Sequence, residues 1–300
     1  MKTLTLSPSC SQQDMRERAG TYVDRSDYDY LINDDCNAYT EDGEPLFFFR
    51  KNRISGDLCL SAYKVLRKAA NPSRNRGPAG GEIRKRDHRH VKTEKGWKRI
   101  KYDGTIANTS ESNLVNSGIV GYFDRNPRFP YCRQTAWFAD NFEKFSTAYP
   151  FIKSINDLFK EACPEKYAAQ KNYTDQTLSD WLLGDTVFST ITVNKNFRTA
   201  LHKDAGDCVD GLGNLAVLSA GNYEGGYTVI PRYRVAFDVQ SGDVCFFNVH
   251  EYHANTEMKA KLAYERISVV CYYRQNMLHC LDPKTELKRV ANRMRGEKVN

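Results

Sequence analysis

The sequence predicts an α+β fold, a double-stranded β-helix (jelly-roll, cupin-like) core buttressed by helices. Three observations predict it. From residue 186 onward, short β-branched and aromatic runs at 187–193, 215–218, 228–231, 235–238, 244–247 and 266–273 alternate with glycine turns, the spacing of a closed all-β body. Immediately before them, residues 141–183 carry apolar side chains at helical spacing, with Phe142 and Phe145 three apart and Phe151, Ile152, Ile155, Leu158 and Phe159 forming a stripe. Apolar residues make up 40% and aromatics 12% of the 300 residues, enough to build a sizeable core.

Taken in order, residues 1–45 read as a polar N-terminal arm or loosely packed edge, with Asp24, Asp27, Asp29, Asp34 and Asp35 among several tyrosines. A single domain over 46–283 follows. Residues 46–50 form its first strand, and 55–70 carry Leu60, Tyr63, Val65, Leu66 and Ala69 near helical spacing before the stop at Asn71-Pro72. The stretch 64–101 holds fourteen Lys/Arg against three Asp/Glu, a local balance of +11 in a chain whose whole formal charge is +7. A basic, Gly/Pro-rich segment poor in apolar residues suits contact with a phosphate backbone, and Arg84, Lys85 and Arg86 are the candidate contacts; a solvated loop is the plainer alternative. His88 and His90 have no third ligand nearby and are read as part of that loop. Residues 106–130 read as loop-rich, with 117–123 a strand or tight packing element. The helical buttress at 141–183 is expected as separate helices over 141–149 and 150–163, another opened by Pro164, and a turn at 178–183. The jelly-roll core occupies about 186–275, and 284–300 is a basic, helical C-terminal tail. Nine cysteines without a CxxC pair argue against a zinc site. With no apolar signal segment or membrane-length run, they are expected as reduced thiols in an intracellular compartment, nuclear or cytosolic.

The chemistry centres on residues 196–207, NFRTALHKDAGD. On an extended strand His202 and Asp204 would share a face and form two corners of a two-His-one-carboxylate iron site with open positions for substrate and dioxygen. The third corner is His253 in HEYHANTE, with His250 the alternative. Farther on, Arg266 and Ser268 also sit two apart in a strand-like run. A guanidinium and a hydroxyl suit the far carboxylate of 2-oxoglutarate. HxD alone occurs often by chance, and the plain reading of His202 is a satisfied surface histidine. HxD, then His, then RxS, in order and on strands, is the signature of an Fe(II)/2-oxoglutarate dioxygenase.

The stretches FRTALHKDAGD, GLGNLAVL, EGGY, HANT and ERIS, with CRQTAW, FEKF and FKEACPEKYAAQ upstream, resemble the TET/J-binding-protein (JBP) family of nucleic-acid-modifying dioxygenases. The resemblance covers about residues 115–275, with NRGPAGG at 75–81 an outlying match. It implies Fe(II)- and 2-oxoglutarate-dependent hydroxylation of the 5-methyl group of a pyrimidine in duplex DNA. The product would be 5-hydroxymethyluracil from thymine in the J-binding branch, or 5-hydroxymethylcytosine from 5-methylcytosine in the TET branch. HKDAGD and GLGNL look closer to the J-binding branch, and HANT resembles the motif carrying the distal ligand, which favours His253 over His250. The resemblance also implies base flipping, hydrogen abstraction from the methyl at the iron, ascorbate as reductant, and a compact catalytic unit; neither a membrane nor a protein partner is expected. Asp207 is a candidate to contact the flipped base, support a ligand histidine or approach the metal, against the plain reading of a turn-forming Asp. Asn214 is a candidate reader of the base edge, and Lys195 and Lys203 are candidates for phosphate. Two readings from other classes stand beside this one: a hydroxylase of the same fold with a non-DNA substrate, and a catalytically inert jelly-roll nucleic-acid-binding module.

Overall fold

The computed structural model describes residues 1–74, 76–81, 89–93 and 96–297. Arg84, Lys85 and Arg86 lie outside the described residues, as does His88. The chain opens with β1 (Lys2–Leu6), α1 (Gln12–Glu17), β2 (Tyr30–Ile32), β3 (Cys36–Thr40), β4 (Pro45–Arg50) and α2 (Gly56–Leu66). Next come β5 (Asn71–Ser73), β6 (His90–Thr93), β7 (Gly96–Ile100), β8 (Ile106–Ser110), β9 (Val115–Phe123) and β10 (Arg133–Gln134). The helical stretch is α3 (Ala136–Asp140), α4 (Phe142–Ala162) and α5 (Pro164–Asp175). The remainder is β11 (Thr190–Lys195), β12 (Gly213–Ala220), β13 (Glu224–Gly225), β14 (Thr228–Ile230), β15 (Val235–Phe237), β16 (Val244–Phe247), β17 (Ala254–Asn255), β18 (Met258–Lys259), β19 (Glu265–Tyr272) and α6 (Pro283–Met294).

Two sheets face one another as a double-stranded β-helix. Among the described residues the larger runs β1-β3-β4-β16-β12-β19-β11-β9-β10, with β5 on β9, and the smaller runs β17-β14-β15-β2. Alternation along each strand sorts the side chains. Phe47 and Phe49 of β4 join Leu215, Val217, Ile230, Val235, Phe237 and Phe247 in the core between the sheets, and the Phe47 and Phe237 rings meet at 5.3 Å. Phe48, one residue out of phase, joins Ala216, Leu218, Phe246, Val269 and Cys271 in the core beneath the helices. Each aromatic ring fully withdrawn from water stabilises the packing by roughly 1.5–3 kcal/mol.

Several expectations are corrected. Residues 1–45 are not an arm: β1 pairs in parallel with β3, and β2 with β15. Met15, Val23 and Tyr28 cover the outer face of the smaller sheet against Leu201, Val229, Ala236 and Ala254. The acidic composition hid this because only a few apolar positions are needed to seal a four-stranded sheet. The β-body likewise begins well before residue 186, since β1, β3, β4 and β9 belong to its larger sheet. The basic stretch is not all loop, since β6, β7 and β8 form a separate three-stranded sheet in which His90 Nε2 lies 3.2 Å from Glu111 Oε2. Nor does Pro150 divide two helices. α4 runs through it, because Phe145, Ala148, Phe151, Ile152, Ile155 and Phe159 form one buried stripe, while Pro150 itself is exposed, so the carbonyl it leaves unbonded faces solvent. Asn194 and Lys195 end β11, and the chain turns at Asn196, whose φ is 45°.

The cysteines are not all reduced thiols. Cys132 and Cys280, 148 residues apart in sequence, form a disulfide, a pairing that spacing alone does not disclose. Beside it α6 is docked rather than free. Its Glu286, 2% exposed, accepts from the Cys132 and Leu281 backbone amides at 3.0 Å each and pairs with Arg125. No helix among the described residues is long and apolar enough to cross a membrane.

Close packing where β9 meets the end of the α2 segment yields a first prediction. A Cβ on Gly118 would lie 2.0 Å from the Ala69 carbonyl oxygen, backbone that cannot swing aside. Gly118→Ala is therefore expected to cost about 3 kcal/mol, read as a lowered midpoint in urea or heat.

Candidate active site

β19 carries one wall of a cavity of about 380 Å³ between the two sheets. Its residues alternate: Ile267, Val269 and Cys271 face the helix-side core, while Arg266, Ser268, Val270 and Tyr272 line the cavity. Thr192 and Asn194 of β11, Leu215 of β12, Thr228 of β14 and Phe247 of β16 complete the walls.

At one end of the cavity stand His202, Asp204 and His253. The HxD segment is not a strand, as the sequence suggested, but a loop pinned by isolated bridges. His202 N donates to His253 O at 3.0 Å and His253 N to His202 O at 2.9 Å, setting the two imidazoles side by side with centroids 4.4 Å apart. Asp204 N donates to Val249 O at 3.1 Å. The N-terminal segment braces the same loop: Gly20 N donates to Leu201 O and Leu201 N to Thr21 O, both at 2.8 Å. The ligand atoms of the three residues all lie within 4.8 Å of one another.

The ring orientations are set from behind. His202 Nδ1 lies 2.8 Å from Ala200 O and His253 Nδ1 lies 3.0 Å from Glu251 O. Each Nδ1 can therefore donate to a carbonyl, which turns both Nε2 atoms toward Asp204, at 3.5 and 3.7 Å from its carboxylate oxygens. Burial, then the facing His202, pushes the His253 imidazole down to about 4, so it is neutral near pH 7. Burial works to raise the Asp204 carboxyl, but the His202 hydrogen bond and the two imidazoles outweigh it and hold Asp204 well below the ordinary carboxylate range. Two imidazole nitrogens and a carboxylate are the donor set a divalent iron takes. His250 is elsewhere: its Nε2 lies 3.2 Å from Cys208 O, where it ties two loops together.

Across the cavity Arg266 is 3% exposed. Its backbone is fixed by Asn196, whose Oδ1 accepts from Arg266 N at 2.7 Å. Its Nε is buried with no hydrogen-bond partner, and no carboxylate pairs with it among the described residues. Asp238 acts on the guanidinium only from beyond ion-pair distance, and a buried cation gains by meeting an anion directly, so the cavity beside it suits one. Gly226, at φ 69°, leaves the room, since a Cβ there would press to 3.2 Å from Arg266 Nε. With Ser268 beside it on the same wall, the residues present fit the far carboxylate of 2-oxoglutarate.

The remaining sequence candidates divide. Asp207 lines the cavity and is 7% exposed, bridged to Arg274. Burial, then the Asp204 charge, pushes its carboxyl well above the ordinary range. Lys203 also lines the cavity, its ammonium 4.8 Å from the Tyr252 ring centroid. Lys195 pairs with Glu265. Asn214 is corrected: it is fully buried, it alternates with cavity-lining Leu215, and its Nδ2 donates to Leu212 O at 2.7 Å and Cys271 O at 3.1 Å. It holds strands together and reads no base. Sequence reasoning missed Arg76 and Arg274, both on the cavity wall. Arg274 had a signal, since it continues the every-second-residue series 266, 268, 270, 272.

A jelly-roll whose cavity joins this His-Asp-His trio to a buried arginine with no carboxylate at ion-pair distance among the described residues defines an oxygenase domain of the Fe(II)/2-oxoglutarate class. The chain belongs to the Tet/JBP family, the oxygenase domain of the 2OGFeDO superfamily, which matches residues 118–275. It is 36% identical over 189 residues to the bifunctional helicase and thymine dioxygenase JBP2 of Trypanosoma brucei brucei, covering 62% of this chain and 17% of that protein. It is 40% identical over 164 residues to thymine dioxygenase JBP1-B of Trypanosoma cruzi, covering 53% of this chain and 19% of that protein. The chain thus spans less than a fifth of the length of these relatives. Its fold resembles NgTET1, solved in complex with 5mC DNA, at a TM-score of 0.54 and 13% identity, covering 94% of this chain and 100% of that one.

Proposed function

We propose that this chain hydroxylates the 5-methyl group of a pyrimidine in DNA, with thymine the substrate ahead of 5-methylcytosine. The observation that carries the reading is that the family's match over residues 118–275 contains the His-Asp-His trio and Arg266, in a chain 36–40% identical over part of its length to proteins named thymine dioxygenases. His202, Asp204 and His253 would hold Fe(II), and Arg266 with Ser268 would hold 2-oxoglutarate by its far carboxylate. When bound, the metal and cosubstrate supply the oxidising power that breaks a methyl C–H bond and leaves a hydroxyl group.

The rest is the work of this chain. The cavity is walled by Val270, Leu215, Phe247 and Tyr272, which keep bulk water from the reacting methyl. A methyl stacked in a duplex cannot enter such a cavity, so the nucleotide must be flipped out, at a cost of a few kcal/mol. Asp207, on the cavity wall, would pair with the polar edge of the entering base while the methyl faces the trio. Ascorbate would serve as the reductant.

The DNA reading is tested by 2-oxoglutarate consumption, which should rise several-fold on addition of thymine-containing duplex and fall back when the duplex is omitted. Equal turnover with and without DNA would turn the reading toward a non-DNA hydroxylase of the same fold. The basic insert is proposed to meet the phosphate backbone through Arg84, Lys85 and Arg86. Reversing those three charges should weaken duplex binding and lower the slope of log affinity against log salt by about 2–3, at about 0.9 per phosphate contact; a titration at several salt concentrations reads it.

A further inference from the structure

Residues 123–133 form a structure that the oxygenase chemistry does not use. Phe123 and Arg274 line the cavity, and the Arg274 guanidinium lies 4.0 Å over the Phe123 ring. On the same ring Arg133 stacks at 5.1 Å, and Arg133 lies 4.2 Å over Phe129. Arg128 then stacks on Phe129 at 5.1 Å. The result is a column of alternating guanidinium and ring, Arg274–Phe123–Arg133–Phe129–Arg128, that starts in the cavity wall and ends at exposed Arg128.

The charges along the column are not equivalent. Arg274 is paired with buried Asp124, and Arg125, next to it in the loop, with Glu286. Arg133 and Arg128 pair with no carboxylate among the described residues; Arg133 Nη1 donates only to the Asp124 carbonyl, at 3.2 Å. A guanidinium held over a ring can still turn N–H groups toward solvent, where they can meet phosphate oxygens. The loop is also stiff. Asn126 Oδ1 accepts from Arg128 N at 3.0 Å and Phe129 N at 2.9 Å, and Asn126 N donates to Phe129 O at 2.8 Å. Its base is tied down by the Cys132–Cys280 disulfide and by Glu286, which accepts from Cys132 N. Little ordering entropy remains to be lost on binding.

We propose that this column is a rail for the nucleic-acid strand that delivers a nucleotide into the cavity, with Arg128 and Arg133 on consecutive backbone phosphates and Phe129 as the platform that holds both cations in place. The inference rests on the DNA reading above and adds to it the surface that grips the strand. It also gives the disulfide and the Glu286 clasp a purpose in binding, since both fix the foot of the rail.

The experiment is binding of a fluorescent thymine-containing duplex to the full chain by anisotropy, over a series of salt concentrations, for wild type, Arg128→Ala, and the double variant Arg128→Ala with Phe129→Ala. Arg128→Ala should lower the slope of log affinity against log salt by about 0.9, one phosphate contact, and the double variant should lose more, because Arg133 then loses the nearer of its two rings. Arg128 is exposed, so its variant should melt as wild type does. A wild type that binds with a steep slope, beside variants with unchanged slope and affinity, would overturn the rail and leave the DNA reading standing. A wild type with no salt-dependent binding would overturn both.

Discussion

Asp204→Ala, like His202→Ala, should abolish turnover while leaving the melting transition in place. Removing a partner that merely orients a metal ligand costs about 10–100-fold in metal affinity or activity, so removing a ligand itself should exceed 100-fold. Asp204 supplies the only carboxylate of the trio, and its charge is sustained by two flanking imidazoles. With alanine there, His202 and His253 would face each other at 4.4 Å without the negative charge that balances a divalent ion. The fold should tolerate the change, because Asp204 is held to the body through its backbone amide on Val249 O, which alanine retains. Turnover assays beside thermal melts read both halves. Wild-type activity in either variant would remove the trio from the chemistry.

Arg266→Ala should raise the 2-oxoglutarate requirement by about two orders of magnitude and leave the rate at saturation much less affected. Hydrogen bonds to a charged partner contribute about 1.5–3 kcal/mol, and 1.4 kcal/mol is a factor of ten in affinity. The effect should fall on KM because the far carboxylate takes no part in bond breaking. Arg266→Lys should recover only part of the loss, since an ammonium keeps the charge but not the planar two-point grip. The alternative role for Arg266 is purely structural, and it predicts lost stability with an unchanged KM. Titrating 2-oxoglutarate against each variant separates the two.

These residues were legible in the sequence for a physical reason. Arg266 and Ser268 sit two apart on a strand, so their shared face is written into their numbering. His202 and Asp204 are likewise adjacent, though a loop rather than a strand brings them together. His253 joins them through a backbone bridge across about fifty residues, and sequence could offer it only beside His250. The structure separates the two by what each Nδ1 or Nε2 meets behind it. Asn214 was misread by one residue of strand parity, enough to turn a side chain from the cavity to the core. The N-terminal segment was misread because charge dominated its composition while Met15, Val23 and Tyr28, few and scattered, did the packing. The Cys132–Cys280 pair and the Arg274–Phe123 contact that joins the Arg–Phe column to the cavity depend on contacts between distant segments, and no local spacing encodes them. Arg274 alone among the missed residues could have been found by carrying the β19 alternation two residues further.

The central claim is that this cavity oxidises a pyrimidine methyl in DNA. It is tested most directly by nucleoside mass spectrometry after incubating the chain with Fe(II), 2-oxoglutarate and ascorbate, on one duplex with unmodified thymine and another with added 5-methylcytosine. The predicted result is 5-hydroxymethyluracil from the thymine duplex, present with the wild type and missing with Asp204→Ala. Hydroxymethylcytosine alone would move the substrate to the methylated cytosine. No oxidised nucleoside from either duplex, by a chain shown to bind the metal, would contradict the account.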